Sequence, residues 1–242
     1  MYLLGVKVDN VDMNGALEKI GDFICDGRQH YIVTPNPEII VLAQKDKEYK
    51  KILNEADLSI PDGVGIKIAS RFLGEPIRER ITGTDLMEKL LTNNKQQTTN
   101  NIKGFLLGGK RGAGEKIAKK FPNAVGFTEN IEEAINSINK CQPNILFVAL
   151  GAPKQEKWIY YNIAKIPSVK VAVGVGGAFD FLSGKILRAP KFLRKIGLEW
   201  LWRFMLQPWR IKRIYNAVIK FPYLVIKEKL LADNADRSGC RG

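Results

Sequence analysis

Ile145-Leu146-Phe147-Val148-Ala149-Leu150-Gly151-Ala152-Pro153-Lys154-Gln155-Glu156 is the stretch on which the fold turns. Six consecutive apolar residues end at a glycine, and a polar, helix-forming segment follows at once. A strand with one wet face would alternate apolar and polar residues. This one does not, as expected of a strand in a parallel sheet covered by helices on both sides. The uncharged run around it, residues 141–153, is 13 long, whereas a membrane-spanning helix needs about 20. It reads as a buried strand.

The same unit recurs on either side. Apolar, β-rich runs are expected as strands at 2–6, 30–34, 58–60, 104–107, 125–127 and 169–175. Helix patterns with capping residues separate them: 14–24 after Asp12, 38–44 opened by Pro37, and 131–139 after Asn130. Such alternation predicts an α/β fold, a mostly parallel Rossmann-like sheet with helices on both faces. The core is expected over residues 1–190, with the polar connector 95–101 dividing two halves.

After residue 190 the composition changes. Residues 188–229 hold eleven Lys or Arg against two Glu, so most of the chain's net charge of +13 lies in about a sixth of its 242 residues. Trp200, Trp202 and Trp209 lie there too. Ile211, Ile214, Tyr215, Val218 and Ile219 follow helical spacing as one apolar stripe. Residues 191–232 therefore read as a basic, helical C-terminal appendage, broken near Pro208 and kinked at Pro222, and 233–242 as a disordered tail. The charge favours anionic partners: nucleic acid, phosphorylated small molecules or an acidic lipid surface. Cys25, Cys141 and Cys240 carry no CxxC spacing, which points to a reducing, cytoplasmic setting and no zinc site. No signal peptide is expected at the N-terminus.

Six strand-end or helix-start segments carry candidate chemistry. Thr34-Pro35-Asn36-Pro37 suits both a helix cap and a polar ligand. Asp62, in Pro61-Asp62-Gly63, is either a turn residue or a carboxylate placed at a strand tip to act as a general base. Arg80, before a helix that Thr84 or Asp85 is expected to cap, reads from the residues alone as a surface charge. Gly108 and Gly109, Gly151, and Gly176 and Gly177 open three strand-end turns, and a glycine-rich turn before a helix suits phosphate. The first of these turns is not a Walker loop, because Glu115 stands where the lysine is required. Glu129, 20 residues beyond Gly109, keeps a ribose-binding role open. His30 reads as a strand residue. With one histidine in the chain, no metal or other cofactor is expected.

Taken in order, TPNPE (34–38), PDG-x-G (61–65), ER-x-TG-x-D (79–85), LG-x-PKQE-x-W (150–158) and G-x-GG-x-FD-x-x-x-G-x-x-x-RAP (174–190) resemble the WecG/TagA/CpsF glycosyltransferase family. The resemblance covers residues 2–215. It implies transfer of a sugar, often N-acetylmannosamine, from a UDP donor to a polyprenyl-diphosphate-linked N-acetylglucosamine in wall-polymer or capsule synthesis, by an inverting route without metal. It implies that Asp62 is the base, that Thr34, Asn36 and Gln155 are polar substrate contacts, and that Arg80 binds substrate after all. Arg203, Arg210 and Arg213 become candidates to hold the leaving diphosphate. The implied setting is peripheral, on the inner face of the cell membrane and against its anionic surface, with a homo-oligomer possible and no nucleic-acid partner. Two rivals use the same features: a nucleic-acid binder would use the basic segment, and a dinucleotide oxidoreductase the turn at 108–114 with Glu129.

Overall fold

The computed structural model describes residues 1–92 and 102–239. The expected connector at 95–101 lies outside them. Six strands form one wholly parallel sheet: β3 (His30–Val33), β4 (Leu58–Ser59), β5 (Gly104–Gly108), β6 (Ala124–Thr128), β7 (Ile145–Ala149) and β8 (Val171–Gly174), in the order β4-β3-β8-β7-β5-β6. The expected strand at 2–6 is instead a hairpin, β1 (Tyr2–Leu3) against β2 (Val6–Lys7). Leu4 and Gly5 take φ of 52° and 71° and turn the chain back, as a two-residue hairpin loop requires.

Side chains of β7 alternate between two cores, as the two-residue period of a strand dictates. Ile145 and Phe147 point into one, Leu146 and Val148 into the other. The first core is closed by α1 (Met13–Cys25), α5 (Gly83–Leu91), α6 (Ala113–Lys120) and α9 (Ala178–Leu182). The opposite face is covered by α7 (Ala134–Cys141) and α8 (Lys154–Asn162), and, beside the hairpin, by α2 (Pro37–Ala43), α3 (Lys47–Asn54) and α4 (Val64–Phe72). Several helices start where a cap was expected: Asp12 Oδ1 accepts from Gly15 N at 2.8 Å and Asn36 Oδ1 from Ile39 N at 3.0 Å. The cap of α5 is Thr82, whose Oγ1 accepts from Asp85 N at 3.0 Å, rather than Thr84 or Asp85. Thr82 is the last extended residue before the helix, which is the cap position.

The helix after β3 goes to one face and the helix after β8 to the other. These two strands are neighbours, so a crevice opens between their carboxyl ends, where parallel sheets bind ligands.

The appendage crosses this crevice as α10 (Lys191–Lys195), α11 (Glu199–Leu206), a 3-10 turn (Pro208–Arg210), α12 (Ile211–Tyr215), a π turn (Asn216–Lys220) and α13 (Phe221–Gly239). Phe221 N–H bonds to the Asn216 carbonyl, five residues back. Pro222 has no N–H to continue the ladder and its ring crowds the preceding turn, which accounts for the wide turn there. Helix α13 runs on to Gly239, so the tail expected to be disordered from 233 is helical over those residues. Both ends of the appendage are fastened. Phe221 and Val225 are buried in the core with Leu3, Val33 and Ile39, and Arg188 bridges Asp85 on α5 (2.6 Å) to Glu199 on α11 (3.2 Å).

Candidate active site

One cavity of about 480 Å³ occupies the crevice, roofed by the appendage. Its floor is the tips of β3, β4 and β8. Backbone bonds hold these tips in place: Asp62 N donates to Pro35 O at 3.0 Å, joining the β4 and β3 tips, Ile81 N to Pro61 O at 2.9 Å, and Val175 N, just after β8, to Val148 O of the neighbouring β7 at 2.9 Å. Thr34 Oγ1 donates to Gly174 O at 3.0 Å, tying β3 to β8. Gly63 follows Asp62 with a φ of 96°, which lets the chain turn straight from the strand tip into α4.

Asp62 is enclosed by protein on every side but the cavity it lines. Burial pushes its carboxyl up to about 7. The Arg80 guanidinium and the Gly83 N–H pull it back down, while the Glu199 and Asp85 charges add to the rise. A carboxylate poised near neutrality is suited to accept a proton in a transition state.

Four guanidinium groups share the wall with it. Arg80 Nη2 donates to Arg194 O at 3.1 Å, so a core residue grips the appendage. Arg203 donates from Nη2 to Asp180 at 2.9 Å and from Nε to Gln207 Oε1 at 3.2 Å, and its guanidinium carbon lies 4.8 Å from the Phe181 ring centre. Arg213 Nε meets both oxygens of Glu38, at 2.6 and 2.7 Å. Among the described residues, Arg210 has only a neutral partner in hydrogen-bond reach, Gln207 Oε1 at 3.1 Å. Burial, with Arg203 and Arg213 beside it, pushes the Arg210 pKa down. Their combined field leaves room for anionic charge.

The structure thus brings together Thr34, Asn36, Asp62, Arg80, Gln155, Gly176, Gly177, Arg203, Arg210 and Arg213. Asn36 serves as helix cap and cavity wall at once. Gln155 reaches the wall but is 2% exposed. Gly108 and Gly109 do not line the cavity, because β7 lies between their strand and β8. Nor does Gly151, whose N–H is taken by Gln155 Oε1 at 3.2 Å. Glu129, with its ribose role left open, accepts from Gly112 N at 2.6 Å and caps the turn itself. The residues missed were Glu38, Asp180 and Glu199. Each sits inside a quoted motif or beside a quoted tryptophan, yet only the fold shows which arginine it faces.

The sequence model of the glycosyl transferase WecG/TagA/CpsF family matches residues 1–235. The chain belongs to this family. The glycosyltransferase is 35% identical over 210 residues to a protein of Bacillus subtilis (strain 168), covering 82% of this chain and 79% of that one. It is 34% identical over 240 residues to a protein of Staphylococcus aureus (strain MRSA252), covering 94% and 92%. Both relatives are named N-acetylglucosaminyldiphosphoundecaprenol N-acetyl-beta-D-mannosaminyltransferase. Among the described residues of the glycosyltransferase, no three His, Cys, Asp or Glu side chains gather as a metal site. No helix among them is long and apolar enough to cross a membrane.

Proposed function

We propose that this glycosyltransferase moves N-acetylmannosamine from UDP to a polyprenyl-diphosphate-linked N-acetylglucosamine, with inversion and without a metal. The observation that carries the reading is the Asp62 carboxylate, at a strand tip, opening on the same cavity as four guanidinium groups. Asp62 takes the proton from the acceptor hydroxyl as its oxygen attacks the anomeric carbon. The bond to the donor β-phosphate breaks on the opposite face, and the leaving diphosphate collects its charge among Arg203, Arg210 and Arg213. Fixed cations at the point where negative charge develops are a large source of rate enhancement. The relatives' names support the acceptor and the sugar.

The test is UDP release and product analysis with UDP-N-acetylmannosamine and a soluble diphosphate-linked acceptor, with and without EDTA. Expected are an inverted linkage and a rate that EDTA leaves unchanged. A chelator-sensitive rate restored by magnesium or manganese rejects the metal-free route.

The appendage supports a membrane-facing setting. The expected apolar stripe divides in two: Ile214 and Val218 line the cavity, whereas Ile211, Tyr215 and Ile219 face outward and continue through Tyr223, Ile226 and Leu230. These six outward residues span about 28 Å of helix at 1.5 Å per residue. Flanked by Lys212, Lys220 and Lys227, the ridge suits an anionic membrane surface, where each nearby cation is worth about 1 kcal/mol. Deleting residues 191–242 is a poor test, because it strips Phe221 and Val225 from the core. Tyr215→Asp with Ile219→Asp is better. Loss of sedimentation with anionic liposomes, with the rate on the soluble acceptor retained, supports the membrane. A concentration-dependent dimer that the same change abolishes, with liposome binding intact, assigns the ridge to a second copy.

A further inference from the structure

Beneath the cavity floor lies a side-chain network that the transfer chemistry leaves unused. Glu156 is wholly buried, and among the described residues its side-chain hydrogen-bond partners are both neutral. One oxygen accepts from Gln155 Nε2 at 2.8 Å and the other from Tyr49 OH at 3.2 Å. Burial raises the pKa of Glu156, and a buried carboxyl with neutral partners is costly to keep. Its effect on the neighbour is specific. An amide side chain can face either way, but with Nε2 committed to Glu156, Gln155 must aim Oε1 at the opposite side. There it accepts from Gly151 N at 3.2 Å and Gly176 N at 3.1 Å. One oxygen thus joins the turns that follow β7 and β8. Gly174, the last residue of β8, leaves the slot the amide occupies: a Cβ there would lie 2.7 Å from Nε2.

The turn held this way carries the donor side of the site. Gly176 leads directly into Gly177, and the Arg203 guanidinium rests on the Gly177 backbone. We propose that Glu156 is a positioning residue that, through Gln155, holds the Gly176–Gly177 turn in place as the platform for Arg203. Gln155 is then a brace rather than a substrate contact: both ends of its amide are used within the protein. The kinetic half of this inference rests on the diphosphate reading of Arg203; the brace itself does not.

Two measurements separate them. The first uses no substrate. Amide hydrogen exchange of the full-length protein is followed for Glu156→Leu, Gln155→Met and Glu156→Gln. The Gly151 and Gly176 amides are expected to exchange about tenfold faster in the first two. Glu156→Gln keeps an oxygen for Gln155 and is expected to retain protection. The second is steady-state kinetics. A positioning defect raises the donor KM about fivefold with the acceptor KM within about twofold, whereas a merely less stable protein loses active fraction and kcat alone. Glu156→Gln is expected to recover the donor KM to within about twofold of the parent on the same scale. Unchanged exchange at both glycines in the Leu and Met variants overturns the brace. Faster exchange with an unaltered donor KM overturns its role in the reaction. If the parent shows no dependence on the UDP-sugar, the donor reading falls while the exchange result still decides the brace.

Discussion

Arg213 and Glu38, 175 residues apart, form a bonded pair in which one Nε lies 2.6 and 2.7 Å from the two carboxylate oxygens. Both line the cavity. The carboxylate therefore occupies one of the cations proposed for the donor diphosphate, and adds negative charge where the ligand brings more. Glu38→Gln is expected to tighten UDP binding by roughly threefold to tenfold, the effect of removing a like charge at partly solvated range. Calorimetric titration of UDP at two salt concentrations checks this. Weaker binding in a folded variant would show that the pair positions Arg213 more than it competes.

For Asp62 the sign of the pH dependence follows from the raised value. Below about 7 the carboxyl is protonated and cannot accept a proton, so turnover is expected to rise with pH through that value. Asp62→Asn is expected to lower turnover by about 10²–10⁴-fold, the usual worth of a general base, with UDP binding kept. The same shift predicts stability. A raised carboxyl favours the folded state at low pH, where it is neutral, and that contribution is lost as pH rises through about 7. The melting temperature of Asp62→Asn relative to the parent should therefore climb from about pH 4 to about pH 7, between the ordinary carboxyl value and the raised one, and level off above it. A flat difference removes the raised pKa from the account.

Arg210 separates function from stability in the opposite direction. It lies beside Arg203 and Arg213, with only Gln207 in hydrogen-bond reach among the described residues. Arg210→Gln is expected to lower turnover by about 10²–10³-fold, as for loss of one group that stabilises developing negative charge. The melting temperature should hold or rise, because a crowded, partly buried cation has been removed. A variant that loses both activity and stability would mark Arg210 as structural.

Much of this was legible in the residues, and the failures have physical causes. The unbroken apolar run 145–150 announced a central strand, and Asp12 and Asn36 announced helix starts, because such signals are local. Strand order is not local. The glycine turn at 108–114 looks as suited to phosphate as the one at 174–177, yet β7 comes between it and the crevice. The stripe at 211–219 has one spacing but two faces, since its helix stands between cavity and surface. Glu156, inside a motif that was read, looks like any exposed glutamate until the fold buries it.

Gly177 offers a test of the arginine platform that removes no charged group. Its φ is −82°, an angle that any residue adopts, so alanine adds no backbone strain. What the methyl group meets is the Arg203 guanidinium, which lies across the glycine with no room for a Cβ. Arg203 is a long side chain and can swing away, but only by leaving Asp180, Gln207 and the Phe181 ring. Gly177→Ala is therefore expected to raise the donor KM about as much as Arg203→Ala does, and the double variant to be no worse than either alone, since two changes that act through one group are not additive. Steady-state kinetics on the four proteins gives the coupling directly. Additive losses would place the role of Gly177 elsewhere than beneath Arg203.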